Sequence, residues 1–257
     1  MNISPAILLG WGYPALQRFG PWRKTVDNVY RLDELIYAEI RDRRATADLD
    51  QRSDVLSRLI LAGGDADRLT DEELRDQLVT LLLAGHETTA SALSWALYEL
   101  GRDRGHLTLA REAADTGDDD HLEAVLKESM RLHPVIPMVV RTLMRPATVG
   151  GWDLPAGATV GPSILIAHSR ADHHPDPERF DPTRFLGQNP PVNTWIPFGG
   201  GVRRCIGAGF SLMEGVAVLR AVLTAYDVTA LGADRPQVRN ITSVPRRGSR
   251  IRVSSPG

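Results

Sequence analysis

The chain has 257 residues, of which 42% are hydrophobic and 24% charged, and its formal net charge at pH 7 is −2. These values are typical of a folded globular protein, and they give no support for a nucleic-acid partner, which usually requires a basic face. The single cysteine excludes an internal disulfide, and the apolar run at residues 6–9 is too short to cross a membrane. We therefore expect a cytoplasmic protein without a transmembrane segment.

Most of the predicted structure is helical. Apolar residues recur every three or four positions in several segments, and glycine or proline follows some of them. The predicted helices are Lys24–Arg44, Ser53–Leu61 (ended by Gly63 and Gly64), Asp71–Leu100, Leu107–Ala114, His121–Leu132 and Gly209–Tyr226. Short β-like runs at 138–143, 147–154, 158–167, 241–244 and 250–253 predict strands, and 172–197 should be irregular. The expected fold class is mainly α with a minor β-sheet.

The longest predicted helix has an unusual centre. Thr70 and Glu73 form a capping-box pattern at its start. The run LVTLLLAG, residues 78–85, is apolar on nearly all sides and is expected to be buried. Glycine weakens a helix and threonine hydroxyls bond back to carbonyl groups, so the helix is expected to widen near Gly85.

Polar residues follow this apolar run directly. Glu87 and Thr88 lie where burial is expected, and a buried carboxylate needs a partner or a function. The pair His86-Glu87 does not indicate a zinc protease, because the H-E-x-x-H motif requires a second histidine where Ala90 stands. A buried helix with a few polar side chains is the alternative.

The only cysteine lies in the sequence FGGGVRRCIG, residues 198–207. Its glycines indicate a loop shaped for close approach to another group. A helix begins directly afterwards, and its amide groups, together with the two adjacent arginines, favour the thiolate form of Cys205. Such a thiolate is a nucleophile or a metal ligand. A nucleophile needs a base such as His133 or His168, a zinc site needs more ligands, and a flat cofactor would explain the glycines.

The spacing F-G-x-G-x-R-x-C-x-G resembles the haem-binding loop of the cytochrome P450 family. The matching positions are Phe198, Gly199, Gly201, Arg203, Cys205 and Gly207. In that family the cysteine thiolate is the axial ligand of the haem iron, so the resemblance implies haem b (iron protoporphyrin IX) as the cofactor and Cys205 as the iron ligand.

The sequence AGHETT, residues 84–89, resembles the distal helix motif of the same family. The resemblance implies that Ala84 and Gly85 border the haem and that Gly85 leaves space for dioxygen. It gives Thr88 the role of steadying activated oxygen and places Glu87 in the path that delivers protons. Oxygen–oxygen cleavage needs protons in a mostly dry site, which agrees with these roles.

The sequence KESMRLHP places Glu128 and Arg131 three residues apart on one helix face. Read alone, such a pair is most often exposed and contributes about 0–1 kcal/mol. The segment resembles the E-x-x-R helix of the P450 family, and HPDPERFDPTRF, residues 174–185, resembles the segment that adds a third member, Arg179. The resemblance implies a structural role for these three residues.

Further assignments come from the same resemblance. Arg203 and Arg141 are expected to face the haem propionates, since a guanidinium suits a carboxylate. The segments Val135–Val140 and Ile241–Ser243 are expected to line the substrate cavity. A metal cluster of histidines 168, 173 and 174 is the weaker interpretation, and solvated or capping histidines are the preferred one.

The resemblance runs in order from about Lys24 to the end of the chain and is of bacterial type. The N-terminal part of the family has no counterpart in it, so residues 1–257 are expected to form a truncated portion of a single catalytic domain, from about the G helix onward. A monooxygenase is implied, which inserts one oxygen atom from O₂ into a small lipophilic substrate. The resemblance also implies that its electrons come from NAD(P)H through a ferredoxin- or flavodoxin-type donor with its reductase.

Two alternatives remain at this point. The first is a catalytically inactive fragment, or a subunit that needs a complementing chain. The second is a hydrolase with a cysteine nucleophile, which explains neither the glycines of the loop nor the polar centre of the long helix.

Overall fold

The computed structural model describes residues 19–63, 67–187 and 190–255. The chain divides into two compact units, Met1–His86 and Glu87–Gly257, which are described separately. The predictions for the N-terminal segment and for Gly64 lie outside the described residues. The assignment of residues 1–257 to a portion of one catalytic domain stays a prediction.

The described part of the chain is mainly helical, which confirms the predicted fold class. The helices are α1 (Gly20–Arg44), α2 (Val55–Leu61), α3 (Asp71–Arg102), α4 (Arg104–Thr116), α5 (Asp119–Leu132), α6 (Ile164–His168) and α7 (Ala208–Ala225). Every helix predicted from periodicity is present, with ends displaced by a few residues. Short 3₁₀ turns occur at Leu49–Gln51, Pro182–Phe185 and Gly201–Arg203.

The strands pair as small antiparallel ladders. They are β1 (Arg141–Thr142), β2 (Ala147–Val149), β3 (Trp152–Leu154), β4 (Thr159–Val160), β5 (Asp227–Ala230), β6 (Pro236–Arg239), β7 (Thr242–Pro245) and β8 (Ile251–Ser254). The pairs are β1 with β4, β2 with β3, β5 with β8, and β6 with β7. The sequence patterns did not indicate β5 and β6.

One run predicted as a strand is partly helical. Residues 158–167 form β4 and then enter helix α6. The hydroxyl of Ser163 accepts a hydrogen bond from the N–H of Ile166 at 3.2 Å, which caps the helix. Short apolar runs fit a strand or a buried helix equally well, and here the serine cap selects the helix.

Helix α3 begins with the predicted capping box. The N–H of Thr70 donates to Glu73 Oε2 at 2.8 Å, and the N–H of Glu73 donates to Thr70 Oγ1 at 3.2 Å. The helix then stays α-helical from Asp71 to Arg102, so the expected widening near Gly85 is absent from its hydrogen-bond pattern.

The apolar centre of α3 is exposed, and the prediction that it is buried is wrong. Leu82 and Leu83 keep 53% and 66% of their surface accessible. An apolar stretch is buried only where other elements pack on it, and periodicity does not show whether such elements are present. The buried part of α3 within the second unit comes later, at residues such as Trp95, Ala96 and Leu100.

Each unit has its own apolar core. In the first unit, Ile40, Leu56, Ile60 and Leu74 bring together α1, α2 and the start of α3. In the second unit, the end of α3 packs with α4, α5, α7 and β5. Within the described residues, α7 also has the length and hydropathy of a membrane-crossing helix, although 28% of that stretch is buried. Because Leu219 and Leu223 of α7 are fully buried in the second core, the helix packs as a core helix does.

Candidate active site

The cysteine loop adopts a conformation that depends on its glycines. Gly199 and Gly201 have φ angles of +68° and +66°, in the left-handed region that glycine adopts without strain. The loop closes where the N–H of Cys205 donates to the carbonyl of Phe198 at 2.9 Å. Helix α7 begins three residues later, at Ala208. The sequence therefore holds Cys205 on a tight turn just before a helix N-terminus.

One face of this loop is exposed. Cys205 is exposed, and a Cβ added at Gly199 or Gly201 would meet no described atom within 4 Å. Val202 and Ile206 are almost fully accessible, at 102% and 94%. A thiol flanked by open glycine backbone and uncovered apolar side chains suits a large, flat, mostly apolar group with a thiolate-binding metal. The residues present therefore fit a haem.

Two preceding residues anchor the loop to helices. The indole N–H of Trp195 donates to the carbonyl of Lys127 on α5 at 3.0 Å. The backbone N–H of Ile196 donates to His168 Nε2, at the end of α6, at 2.8 Å. The ring of Phe198 then meets Trp195 edge-on, with centroids 6.0 Å apart. The cysteine loop thus starts from a backbone position fixed by α5 and α6.

Two of the three histidines considered for a metal are buried and bond the backbone, so the solvated half of the expectation of solvated or capping histidines is wrong for them. His168 is 1% exposed and accepts from Ile196, while His174 is 4% exposed and bonds the carbonyl of Thr194 at 3.0 Å. Burial lowers the pKa of both, that of His168 to about 4, with a further contribution from the nearby His174. In the described part of the chain, no group of three or more His, Cys, Asp or Glu residues is arranged to hold a metal ion.

Stability should fall in mild acid because of His168. Its pKa in the folded chain, about 4, lies below the ordinary value of 6.5, so only the unfolded chain takes up this proton between those values. The contribution is complete above pH 6.5 and is lost as pH falls toward 4, by a few kcal/mol, since one pKa unit equals about 1.4 kcal/mol. In His168→Gln, an amide oxygen can still accept from Ile196, and the acid loss should shrink. Urea unfolding from pH 7 to pH 4 measures this.

The control for that measurement is His173→Gln, because His173 lies five residues after His168, beyond the end of α6, and its side chain is 36% accessible. His173→Gln should lose as much stability between pH 7 and pH 4 as the unaltered chain does. Equal acid loss in His168→Gln and the unaltered chain would contradict the assignment to His168.

Glu128 and Arg131 form a buried ion pair, so they are not the exposed pair of the alternative interpretation. Their side chains are 0% and 1% accessible, and Arg131 Nε lies 2.7 Å from Glu128 Oε2. A second contact joins Nη2 to Oε1 at 2.9 Å. Arg131 also donates to the carbonyls of His168 at 3.0 Å and Arg179 at 3.2 Å, which fixes α5 to the segment before the cysteine loop.

The third charged residue of the cluster formed by Glu128 and Arg131 is Arg184, which corrects the prediction of Arg179. Arg184 Nε lies 3.4 Å from Glu128 Oε1, whereas the exposed residue Arg179 contributes its backbone carbonyl. The adjacent N–H of Asp181 donates to the same Glu128 oxygen at 2.9 Å. Asp181 caps the turn Pro182–Phe185, and this turn carries Arg184 toward Glu128.

Within the second unit, Glu87 lies opposite a residue that the sequence patterns missed. Its Oε1 is 2.6 Å from Nη2 of Arg239, at the end of β6. Thr89 Oγ1 lies 3.3 Å from Ser211 Oγ, which links α3 to the first part of α7. Neither contact follows from a local pattern, because each joins residues more than a hundred positions apart. Thr88 lies between Glu87 and Thr89 and is half-buried.

The two segments expected to line a substrate cavity are joined. The N–H of Ser243 donates to the carbonyl of Val135 at 2.7 Å. Met138 and Ile241 expose apolar side chains, at 51% and 78%. Arg141 and Arg203, expected to face the propionates, are exposed. Ala84 and Gly85 belong to the first unit.

The hydrolase alternative finds no support in the histidines. His133 Nε2 lies 2.8 Å from Glu99 Oε1, and its ring stacks on Trp95 at 3.9 Å. His168 accepts from the backbone of Ile196. Within the described ranges, neither candidate base bonds the Cys205 sulfur, so the base that a cysteine nucleophile needs is not in place.

Comparisons with known proteins agree with this geometry. The family model described as Cytochrome P450 matches residues 13–252. A protein of Mycobacterium tuberculosis, provisionally named cytochrome P450 135A1, is 51% identical over 257 positions, covering 98% of this chain and 57% of the relative. Another of Mycobacterium bovis, provisionally named cytochrome P450 135B1, is 44% identical, covering 98% and 56%.

A solved structure is also similar. The crystal structure of a cytochrome P450, CYP102L1, superposes with a TM-score of 0.82 at 24% identity, covering 93% of this chain and 59% of that one. This likeness supports the fold. The chain spans somewhat more than half the length of the relatives it matches. The family model covers nearly all of the chain, and the chain therefore belongs to the cytochrome P450 family.

Proposed function

We propose that the protein is a haem-thiolate monooxygenase that inserts one oxygen atom from O₂ into a small lipophilic organic substrate. The observation that carries the proposal is the cysteine loop, where the only cysteine is exposed on a bare glycine turn at a helix N-terminus. Membership of the family supports the reaction type.

The proposed cofactor is haem b. Cys205 would supply the sulfur ligand, and Phe198, Gly199, Gly201 and Gly207 would shape the surface that holds the cofactor. Arg203 and Arg141 would pair with the propionates, since both are exposed and a guanidinium binds a carboxylate in a bidentate manner. When bound, the haem iron would supply oxygen activation, with the thiolate donating electron density.

Residues of α3 would serve the distal side. Ala84 and Gly85 would border the cofactor, with Gly85 leaving room for a small ligand because no side chain projects from it. Thr88 and Glu87 would hold and pass protons through a hydroxyl and a carboxylate, groups that carry out general acid–base steps. The contact with Arg239 supports a Glu87 carboxylate that is oriented by the protein rather than free in solvent.

The proposed substrate class rests on the side chains of the two segments expected to line the cavity. Exposed apolar side chains in Val135–Val140 and Ile241–Ser243 favour a lipophilic molecule. By the family resemblance, electrons from NAD(P)H would arrive through a ferredoxin- or flavodoxin-type protein with its reductase. We propose a cytoplasmic location for these steps.

The test is the absorption spectrum of the purified, haem-reconstituted chain in its reduced, carbon-monoxide-bound state. A Soret band characteristic of thiolate ligation should appear in the unaltered chain and be lost in Cys205→Ser. Cys205→His is the matched control, since imidazole also binds iron and should retain haem while moving the band to that of histidine ligation. No haem uptake by the unaltered chain, or an unchanged band in Cys205→Ser, would refute the proposal.

A further inference from the structure

Glu87 has a cationic partner on a separate element of the second unit. Its Oε1 lies 2.6 Å from Nη2 of Arg239, with the Glu87 side chain 26% and the Arg239 side chain 37% accessible. Among the described residues, neither Glu87 Oε1 nor Arg239 Nε has a well-directed hydrogen bond. The contact is therefore held by charge, and partial burial strengthens it relative to a pair in open solvent.

The backbone of Arg239 is itself well fixed. Arg239 faces Thr242 across the β6–β7 ladder, and only Asn240 and Ile241 connect the two strands. Asn240 has a φ of +56°, a left-handed value that asparagine tolerates and that a tight turn uses. The hydroxyl of Thr242 donates to the carbonyl of Arg239 at 2.9 Å. The hairpin thus presents the guanidinium from a short, braced turn.

The hairpin is also tied down at its other strand. The N–H of Ser243, buried in β7, donates to the carbonyl of Val135 just after α5. Residues on both sides of this bond belong to segments that we propose as substrate lining. A charge held on such a support has a defined direction toward Glu87, as a positioning group requires.

We propose that Arg239 is the positioning residue for Glu87, holding its carboxylate in the orientation used for proton delivery. This rests on the proposed function, which gives Glu87 that role. Arg239 acts through Glu87 and is not itself a catalytic residue. The alternative is that the pair only braces the hairpin against α3, and the two interpretations differ in what a change at Arg239 does to the distal side of the bound cofactor.

The first measurement uses the haem-free chain and asks whether the pair couples in solution. Unfolding by urea is compared for Glu87→Gln, Arg239→Gln and the double variant. We expect a coupling of about two- to fivefold in the unfolding equilibrium constant, as for a partly exposed ion pair. Arg235→Gln combined with Glu87→Gln is the control, because Arg235 is an exposed arginine just before β6 and should give additive effects. Additive effects for Arg239 would overturn the proposal.

The second measurement uses the haem-loaded chain and the C–O stretching band of its reduced carbon monoxide complex, which responds to charge and hydrogen bonding near the ligand. Arg239→Gln should shift or broaden the band, Arg239→Lys should restore it, and Arg235→Gln should leave it unchanged. If the band is unchanged in Arg239→Gln although the two residues are coupled in unfolding, the ion pair only stabilises the packing of the hairpin on α3. That result would overturn the positioning role. No haem uptake by the unaltered chain would refute the proposed function instead, while the coupling would still establish the ion pair.

Discussion

Replacing Arg131 with methionine should destabilise the chain by about 3–5 kcal/mol, because it leaves the Glu128 carboxylate buried without its main partner. The pair has two N···O contacts, at 2.7 and 2.9 Å, and both side chains are almost fully buried. Arg184 remains, but at 3.4 Å from one carboxylate oxygen. The carbonyls of His168 and Arg179 lose their donor as well. Urea denaturation of the haem-free chain measures the loss.

Two further variants make this result specific. Lys127→Met is the matched control, since Lys127 is a nearby residue on α5, is 19% accessible and pairs with Glu123 at 2.7 Å. It should cost about 1 kcal/mol or less. Arg131→Lys keeps the charge but loses the planar fork, and it should fall between the other two. If Arg131→Met lowers the free energy of unfolding by less than about 1 kcal/mol, the cluster of Glu128, Arg131 and Arg184 does not hold α5 to the segment before the cysteine loop.

The choice between Arg179 and Arg184 shows where the sequence stops being informative. The pattern Asp-Pro-x-Arg-Phe occurs twice in succession, at residues 176–180 and 181–185. Both phenylalanines are buried, so neither copy stands out by its apolar residue. What separates them is the contact of the second copy with Glu128, through the N–H of Asp181 and the side chain of Arg184. Contacts between distant segments have no local signature.

Helices were predictable because their cause is local. The apolar spacing of α1 and α5 and the capping box of α3 follow from 3.6 residues per turn and from side chains that bond nearby backbone groups. Burial depends instead on what packs against a surface. That is why the leucines at 81–83 look like core residues in the sequence but are exposed.

In the candidate site, too, the local features were predictable from the sequence and the contacts between distant segments were not. The glycine loop around Cys205 was predictable, since its conformation depends on residues within one short segment. The partner of Glu87 was not, because Arg239 lies on a hairpin whose first strand, β6, has no strong apolar alternation. Nor were the buried positions of His168 and His174, which reflect contacts with the backbone of residues 194–196.

Gly101, in the last turn of α3, lies at another contact between distant segments. Replacing a helical glycine with alanine usually stabilises a protein, but at this position it should destabilise the chain. A Cβ at this position would lie 2.7 Å from the backbone nitrogen of Ala230 and 3.1 Å from the carbonyl carbon of Thr229. These are backbone atoms of β5, which is paired with β8 and cannot swing aside as a flexible side chain would. The glycine therefore permits the close approach of α3 to the strand.

Gly101→Ala should accordingly destabilise the chain by about 1–3 kcal/mol, as overpacking does, although alanine is the better helix former. Gly85→Ala is the matched control on the same helix. A Cβ there would meet no described atom within 4 Å, so the haem-free chain should gain about 0.5–1 kcal/mol. Urea unfolding of both variants measures the two signs. A stabilising Gly101→Ala would mean that β5 yields to the added methyl group, and that the α3–β5 contact is looser than the structure shows.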